Sequence, residues 1–97
     1  MSKLRNIHPG EVLELEFLKP LAVTQYRAAK ETGLSQTAIS EICRGTRGIS
    51  AETALRLAAF LGTTPEFWMS LQDRFALLAA RSSLGAKLKK IHRLRAA

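Results

Sequence analysis

The sequence predicts an all-α domain of five helices, on three observations. Helix-capping residues recur at short intervals, three helical segments are followed at once by a glycine, and apolar residues return every three or four positions without strict alternation. Pro9 at a first helical position, with Glu11 and Glu14 near the positive end of the dipole, opens a first helix that runs to Phe17 or Leu18. Pro20 closes it, because a residue before proline, here Lys19, is pushed out of the α region. Thr24 caps a second helix, Gln25 to Thr32, that stops at Gly33. Ser35 caps a third, Gln36 to Arg44, ended by Gly45. Ser50 caps a fourth, Ala51 to Leu61, with Glu52 in its first turn and Gly62 after it. Thr64 and Pro65 start the fifth and longest, Pro65 to Ala80.

Length and composition bound the function. Ninety-seven residues suit one compact domain and exclude two. A chain of this size hides only roughly 65% of the surface its unfolded form exposes, so a single modest core holds it. With 46% hydrophobic and 24% charged residues it is an ordinary globule. Apolar runs fall far short of the ~18 residues needed to cross a bilayer, so no membrane partner is expected. The basic start Met1-Ser2-Lys3-Leu4-Arg5 is followed by no apolar signal region, which points to the cytoplasm. One cysteine, Cys43, and two distant histidines make neither a disulfide nor a closed zinc site, and no metal or other cofactor is expected. No nucleophile–base pair or phosphate loop is present, so catalysis is not expected.

The charge distribution points toward a polyanion. Fifteen Lys and Arg against eight Asp and Glu give a net +7. Residues 1–80 hold nine bases and all eight acids, whereas residues 81–97 hold six bases and no acid. We therefore divide the chain into a folded unit, 1–80, and a basic tail, 81–97. The bases of the unit gather at Arg27, Lys30, Arg44 and Arg47. In a small cytoplasmic protein the commonest polyanionic partner is nucleic acid.

The segment Gln25 to Arg44, QYRAAKETGLSQTAISEICR, carries the most information. Two short helices joined by a tight glycine turn must cross closely, which explains the small Ala29 and the glycine at 33, where positive φ costs nothing. Ala28, Leu34, Ile39 and Ile42 supply the apolar contacts. The pattern is that of a helix-turn-helix. An ordinary helical hairpin would accommodate the same glycine but would carry Glu and Lys on its outer face. Here that face carries Gln36, Thr37, Ser40, Glu41 and Arg44, mostly short uncharged hydrogen-bonders. Gln pairs bidentately with adenine, and Ser and Thr donate or accept, so Gln36, Thr37 and Ser40 are expected to touch base edges. Arg44, Thr46 and Arg47, at the helix end and in a Gly-rich loop, are expected on the DNA backbone. Gln25 either reaches a phosphate from its helix N-terminus or buttresses Gln36 through an amide pair.

The five-helix punctuation and this bihelical segment resemble the phage-repressor-like (XRE) class of DNA-binding domains. The words HPGE at 8–11, RG-x-x-G at 44–48 and ISAETALRLAAFLGTTPEFW at 49–68 narrow the resemblance to the HigA-type antitoxins of bacterial toxin–antitoxin pairs. The stretch from His8 to Gln72, about two-thirds of the chain, is similar to that family. The resemblance implies a homodimer that binds a palindromic operator, represses its own operon and neutralises a HigB-like, mRNA-cleaving toxin. By the same analogy, dimerisation falls on the fifth helix. Its apolar residues occupy more than one stripe, and Phe67, Trp68, Leu71, Phe75 and Leu78 are the expected interface, with Phe67 and Trp68 serving core and seam together. The tail departs from the shared core. Two other readings share parts of this argument: a stand-alone repressor without a toxin, and a protein-interaction module without sequence-specific DNA binding.

The remaining signals read as structural. His8 satisfies its own helix start, Glu11, Glu14 and Glu16 complement the dipole, and Cys43 is a small filler. In the tail Leu84, Leu88, Ile91 and Leu94 stand at helical spacing among Lys and Arg. That segment is either a flexible counter-charge to phosphate or a disordered terminus.

Overall fold

A computed structural model describes residues 5–95, and among these the regular elements are all helical. In order they are α1 (Pro9–Val12), a π-helical continuation (Leu13–Leu18), α2 (Gln25–Thr32), α3 (Gln36–Cys43), α4 (Ala51–Leu61), α5 (Pro65–Leu84) and a 3-10 segment (Gly85–Lys90). The expected caps are made. Thr24, Ser35, Ser50 and Thr64 accept from the N–H of Arg27, Ala38, Thr53 and Phe67, at 3.0, 2.9, 3.2 and 3.1 Å. Each such cap contributes about 1 kcal/mol. His8 caps α1 with its ring, Nδ1 accepting from the Gly10 N–H at 2.9 Å. Gly33 and Gly62 end α2 and α4 in the left-handed region, at φ 80° and 76°.

Three boundaries differ from the sequence expectation. The first helix is not regular, since Lys19 N–H bonds the Glu14 carbonyl five residues back, at 3.0 Å. In an α-helix side chains five apart diverge by roughly 140°. The wider π turn brings Leu13 and Leu18 to one side, and both are fully buried. α3 stops one residue early, at Cys43, with Arg44 as its cap and Gly45 in the left-handed region beyond. α5 runs past Ala80 to Leu84, because Ala79, Ala80 and Arg81 are good helix formers and nothing interrupts them before Gly85.

The core joins Leu13 and Leu18 to Ala28 and Ala29 of α2, Ile39 and Ile42 of α3, Ile49, Ala54, Leu57 and Ala58 around α4, and Trp68 of α5. Each fully buried large side chain contributes roughly 1.5–3 kcal/mol. The indole N–H of Trp68 is satisfied by Thr63 Oγ1 at 2.7 Å. Two close approaches fix α3. Ala28 and Ala29 let it cross α2, and Gly10 lets α1 pass so near that a Cβ there would lie 1.6 Å from the Ile42 carbonyl oxygen. On the far side Arg56 of α4 donates from Nη1 to the Thr32 carbonyl at 2.8 Å, fastening the end of α2.

Candidate nucleic-acid interface

With Ala38, Ile39 and Ile42 turned inward, the opposite side of α3 is left to solvent. Gln36 and Thr37 are exposed and Ser40 half-buried there. The structure gathers these three with Gln25 of α2 and Arg44 at the end of α3 around one open cleft of about 430 Å³. Beside it a second hollow, about 220 Å³, is lined by Tyr26, Ala29, Lys30, Leu34 and Gln36. Gln36 therefore stands on the ridge between the two. Tyr26 and Lys30 were not among the expected contacts. Their i, i+4 spacing on the exposed side of α2 was the signal available in the sequence.

Polar partners within the protein orient this surface. Arg44 donates from Nη1 to Ser40 Oγ at 2.9 Å, one turn back along the same face. Gln25 donates from Nε2 to Glu14 Oε1 at 3.2 Å, so its amide is held by the π-helical turn, and no Gln25–Gln36 amide pair is formed among the described residues. Glu41, also on α3, pairs with Arg47. The Nε and Nη2 of Arg47 lie 2.8 and 2.7 Å from Glu41 Oε1. Thr46 gives both its N–H and its hydroxyl to the Glu41 carbonyl, at 2.9 and 3.2 Å. At the start of the loop after α3 the N–H groups of Arg44, Gly45 and Thr46 bond the Ser40, Ile42 and Glu41 carbonyls, because the chain must unwind from α3 without stranding donors.

Behind this surface the loop is anchored twice. Ile49 N–H donates to Gln72 Oε1 of α5 at 2.7 Å, and Gly48 packs directly against the same amide. The ring of His8 lies beside Gly45 and meets Phe75 of α5 edge-on, centroids 4.7 Å apart. Burial pushes His8 below its ordinary value, partly offset by the backbone of Arg47 beside the ring. Cys43 is half-buried, and burial together with the neighbouring Glu14 raises its thiol to about 12. It is an inert thiol at neutral pH.

The residues expected to join two copies are not on one open face. Trp68 is wholly enclosed and belongs to the core, and Leu71, Phe75 and Leu78 lie half-buried on the same inward side of α5. Only Phe67 of that set is exposed, at 38%, and it packs on Phe17. The apolar stripe read from the sequence is thus the side of α5 that faces the body.

Among the described residues no helix is long and apolar enough to cross a membrane, and no cluster of three or more His, Cys, Asp or Glu could hold a metal.

A profile of the helix-turn-helix family matches residues 16–68. The chain is 42% identical to virulence-associated protein I of Dichelobacter nodosus over 76% of its own length and 68% of that protein's. It is 36% identical to antitoxin HigA-1 of Vibrio cholerae over 84% of its own length and 76% of that protein's. The solved structure of Pseudomonas aeruginosa antitoxin HigA with the higBA promoter superposes with a TM-score of 0.89 at 36% identity, covering 94% of this chain and all of that one.

Proposed function

This chain belongs to the helix-turn-helix family, in its HigA antitoxin branch, and on that footing we propose that it binds operator DNA as a homodimer, represses its own operon and neutralises a HigB-like mRNA-cleaving toxin. It acts in the cytoplasm, by binding rather than by catalysis. The observation that carries the DNA reading is the cleft in which Gln25, Gln36, Thr37, Ser40 and Arg44 converge on the exposed side of α3. A helix with hydrogen-bonding tips and apolar backing is the form that enters a major groove.

Gln36, Thr37 and Ser40 read base edges in this arrangement. Arg44 and Arg47 meet the DNA backbone, flanking the end of α3, and Gln25 approaches it from the N-terminus of α2. Thr46 stands beside them and shapes the loop. Its two donors are spent on Glu41, so it faces phosphate only after giving one of them up.

Two copies on one duplex place their α3 helices in successive major grooves, about 34 Å apart. The test is a gel-shift and footprint on DNA upstream of its own gene. Protection of an inverted repeat with that spacing is expected, and binding indifferent to the repeat overturns the reading. Co-expression with the adjacent small reading frame tests the second half. Relief of that product's toxicity is expected, and unrelieved toxicity leaves a stand-alone repressor.

A further inference from the structure

Every residue from Arg81 to Arg95 is exposed. Arg81, Lys87, Lys89, Lys90, Arg93 and Arg95 lie there without one acid, and the last acid before them, Asp73, stands eight residues upstream of Arg81. Among the described residues none of these cations joins an ion pair. His92, Arg93, Leu94 and Arg95 by themselves line an open hollow of about 630 Å³, so this stretch stands clear of the folded unit. Cations crowded together without a counter-charge repel one another, and an outside polyanion relieves them.

Two polyanions offer this relief, an anionic lipid surface and a nucleic-acid backbone, and the backbone conformation chooses between them. A segment that lies on lipid gathers its apolar side chains on one face. Leu84, Leu88, Ile91 and Leu94 would do so on a continuous helix, but Gly85 breaks it at φ 51° and ψ −126°, a conformation that residues with side chains rarely adopt. Leu84 therefore ends α5, Leu88 sits in the 3-10 segment, and Ile91 turns extended, at φ −81° and ψ 120°, ahead of Leu94. No single face carries them all. The cations, by contrast, are evenly set. Lys87 and Lys90 share one side of a three-residue turn about 6 Å apart, and Arg93 and Arg95 are at most about 7 Å apart. These intervals are close to the step between neighbouring phosphates along one strand.

A duplex seated on α3 lies within reach. The exit of α3 is fastened to α5 at Gln72, and Leu84 is twelve residues further on, about 18 Å of helix. Beyond it the 3-10 segment spans about 12 Å, and residues 91–95 span up to about 17 Å more. We propose that residues 85–95 form an arm that grips the phosphates of the duplex that α3 reads, without regard to sequence. This rests on the operator binding proposed above and adds to it a contact outside the helix-turn-helix.

Lys87→Gln, Lys90→Gln, Arg93→Gln and Arg95→Gln, made together in the full chain, remove four cations from exposed positions and leave the core untouched. Binding is read by fluorescence anisotropy over a salt series. The fourfold variant is expected to bind operator and random duplex alike about tenfold or more weakly, and to lower the slope of log K against log salt by about three to four for each arm engaged. Its base preference at the operator is expected to stay. Leu88→Ser with Ile91→Ser keeps every charge and is expected to change neither affinity nor slope. An unchanged slope in the fourfold variant, or an equal loss in the serine pair, overturns the arm. So does a loss confined to single-stranded RNA or to vesicles of phosphatidylglycerol and phosphatidylcholine, which would assign the cations to those surfaces instead. The two ideas fail separately. Operator preference with an unchanged slope sinks the arm and leaves the functional reading, whereas a lowered slope with no operator preference in either protein sinks the functional reading and leaves the arm as a general duplex contact.

Discussion

Arg47 is held by Glu41 across the turn that ends α3, Nη2 to Oε1 at 2.7 Å, so α3 supplies the acid that fixes a cation beside its own tip. Both side chains are partly solvated, at 49% and 32% exposure, and the pair itself contributes at most about 1 kcal/mol to folding. On the backbone contact proposed for Arg47, the pair's larger effect is on DNA, because the acid neutralises a charge that a phosphate would otherwise claim.

Arg47→Ala is therefore expected to weaken binding to operator and random DNA alike and to lower the slope of log K against log salt by about one. Glu41→Gln is expected to act in the opposite direction, tightening both by freeing the guanidinium. Salt titrations by fluorescence anisotropy check the pair. Tightening confined to the operator would assign Glu41 to base reading instead.

Gln36→Ala is expected to cost about 1 to 3 kcal/mol on the operator and little on random sequence, with relaxed preference at one base pair of each half-site. Competition with single-base operator variants measures it. Equal loss on every sequence would place Gln36 on the backbone.

Gly10→Ala is expected to destabilise the fold by about 3 kcal/mol or more, since the added methyl would overlap the Ile42 carbonyl, which is backbone and cannot turn aside. Urea denaturation followed by circular dichroism reads this. A loss below 1 kcal/mol would mean that α1 lifts off α3 cheaply.

His8 makes stability depend on pH. Its ring is held below the ordinary 6.5 chiefly by burial, and Glu11, Glu14 and Arg44 line the same hollow. The unfolded chain therefore takes up this proton more readily than the folded one. The His8 contribution is complete above pH 6.5 and is lost as the pH falls through the lower folded-state value. Denaturation at about pH 7.5 and 5.5 should show the decline, and His8→Asn, which keeps a capping oxygen, should flatten it. Glu11, lowered by its hydrogen bond to Arg5, loses its part only at pH below its ordinary 4.5. An unchanged profile in the variant would remove His8 from this role.

Much of the fold was legible because capping is local. Thr24, Ser35, Ser50 and Thr64 each act within three residues of themselves, so a short window suffices to find them. The side of α3 carrying Gln36, Thr37 and Ser40 was legible for the same reason, once Ile39 and Ile42 fixed its inner side. The π turn was not, because it answers to the core that Leu13 and Leu18 must both reach. Nor was the commitment of Thr46 and Arg47 to Glu41, which depends on where the chain goes after Gly45. The apolar stripe of α5, Trp68, Leu71, Phe75 and Leu78, was legible too, but that it packs on the body of its own chain shows only in the structure, where Trp68 is wholly enclosed.

Gln72 accepts the Ile49 N–H and backs against Gly48, fastening the exit of α3 to α5. In the homodimer proposed above the two recognition helices are then calipers with locked jaws, whose opening is set by protein before any duplex arrives. One base pair added between the half-sites would swing the far one about 35° around the helix axis, and no bending of the instrument would follow it.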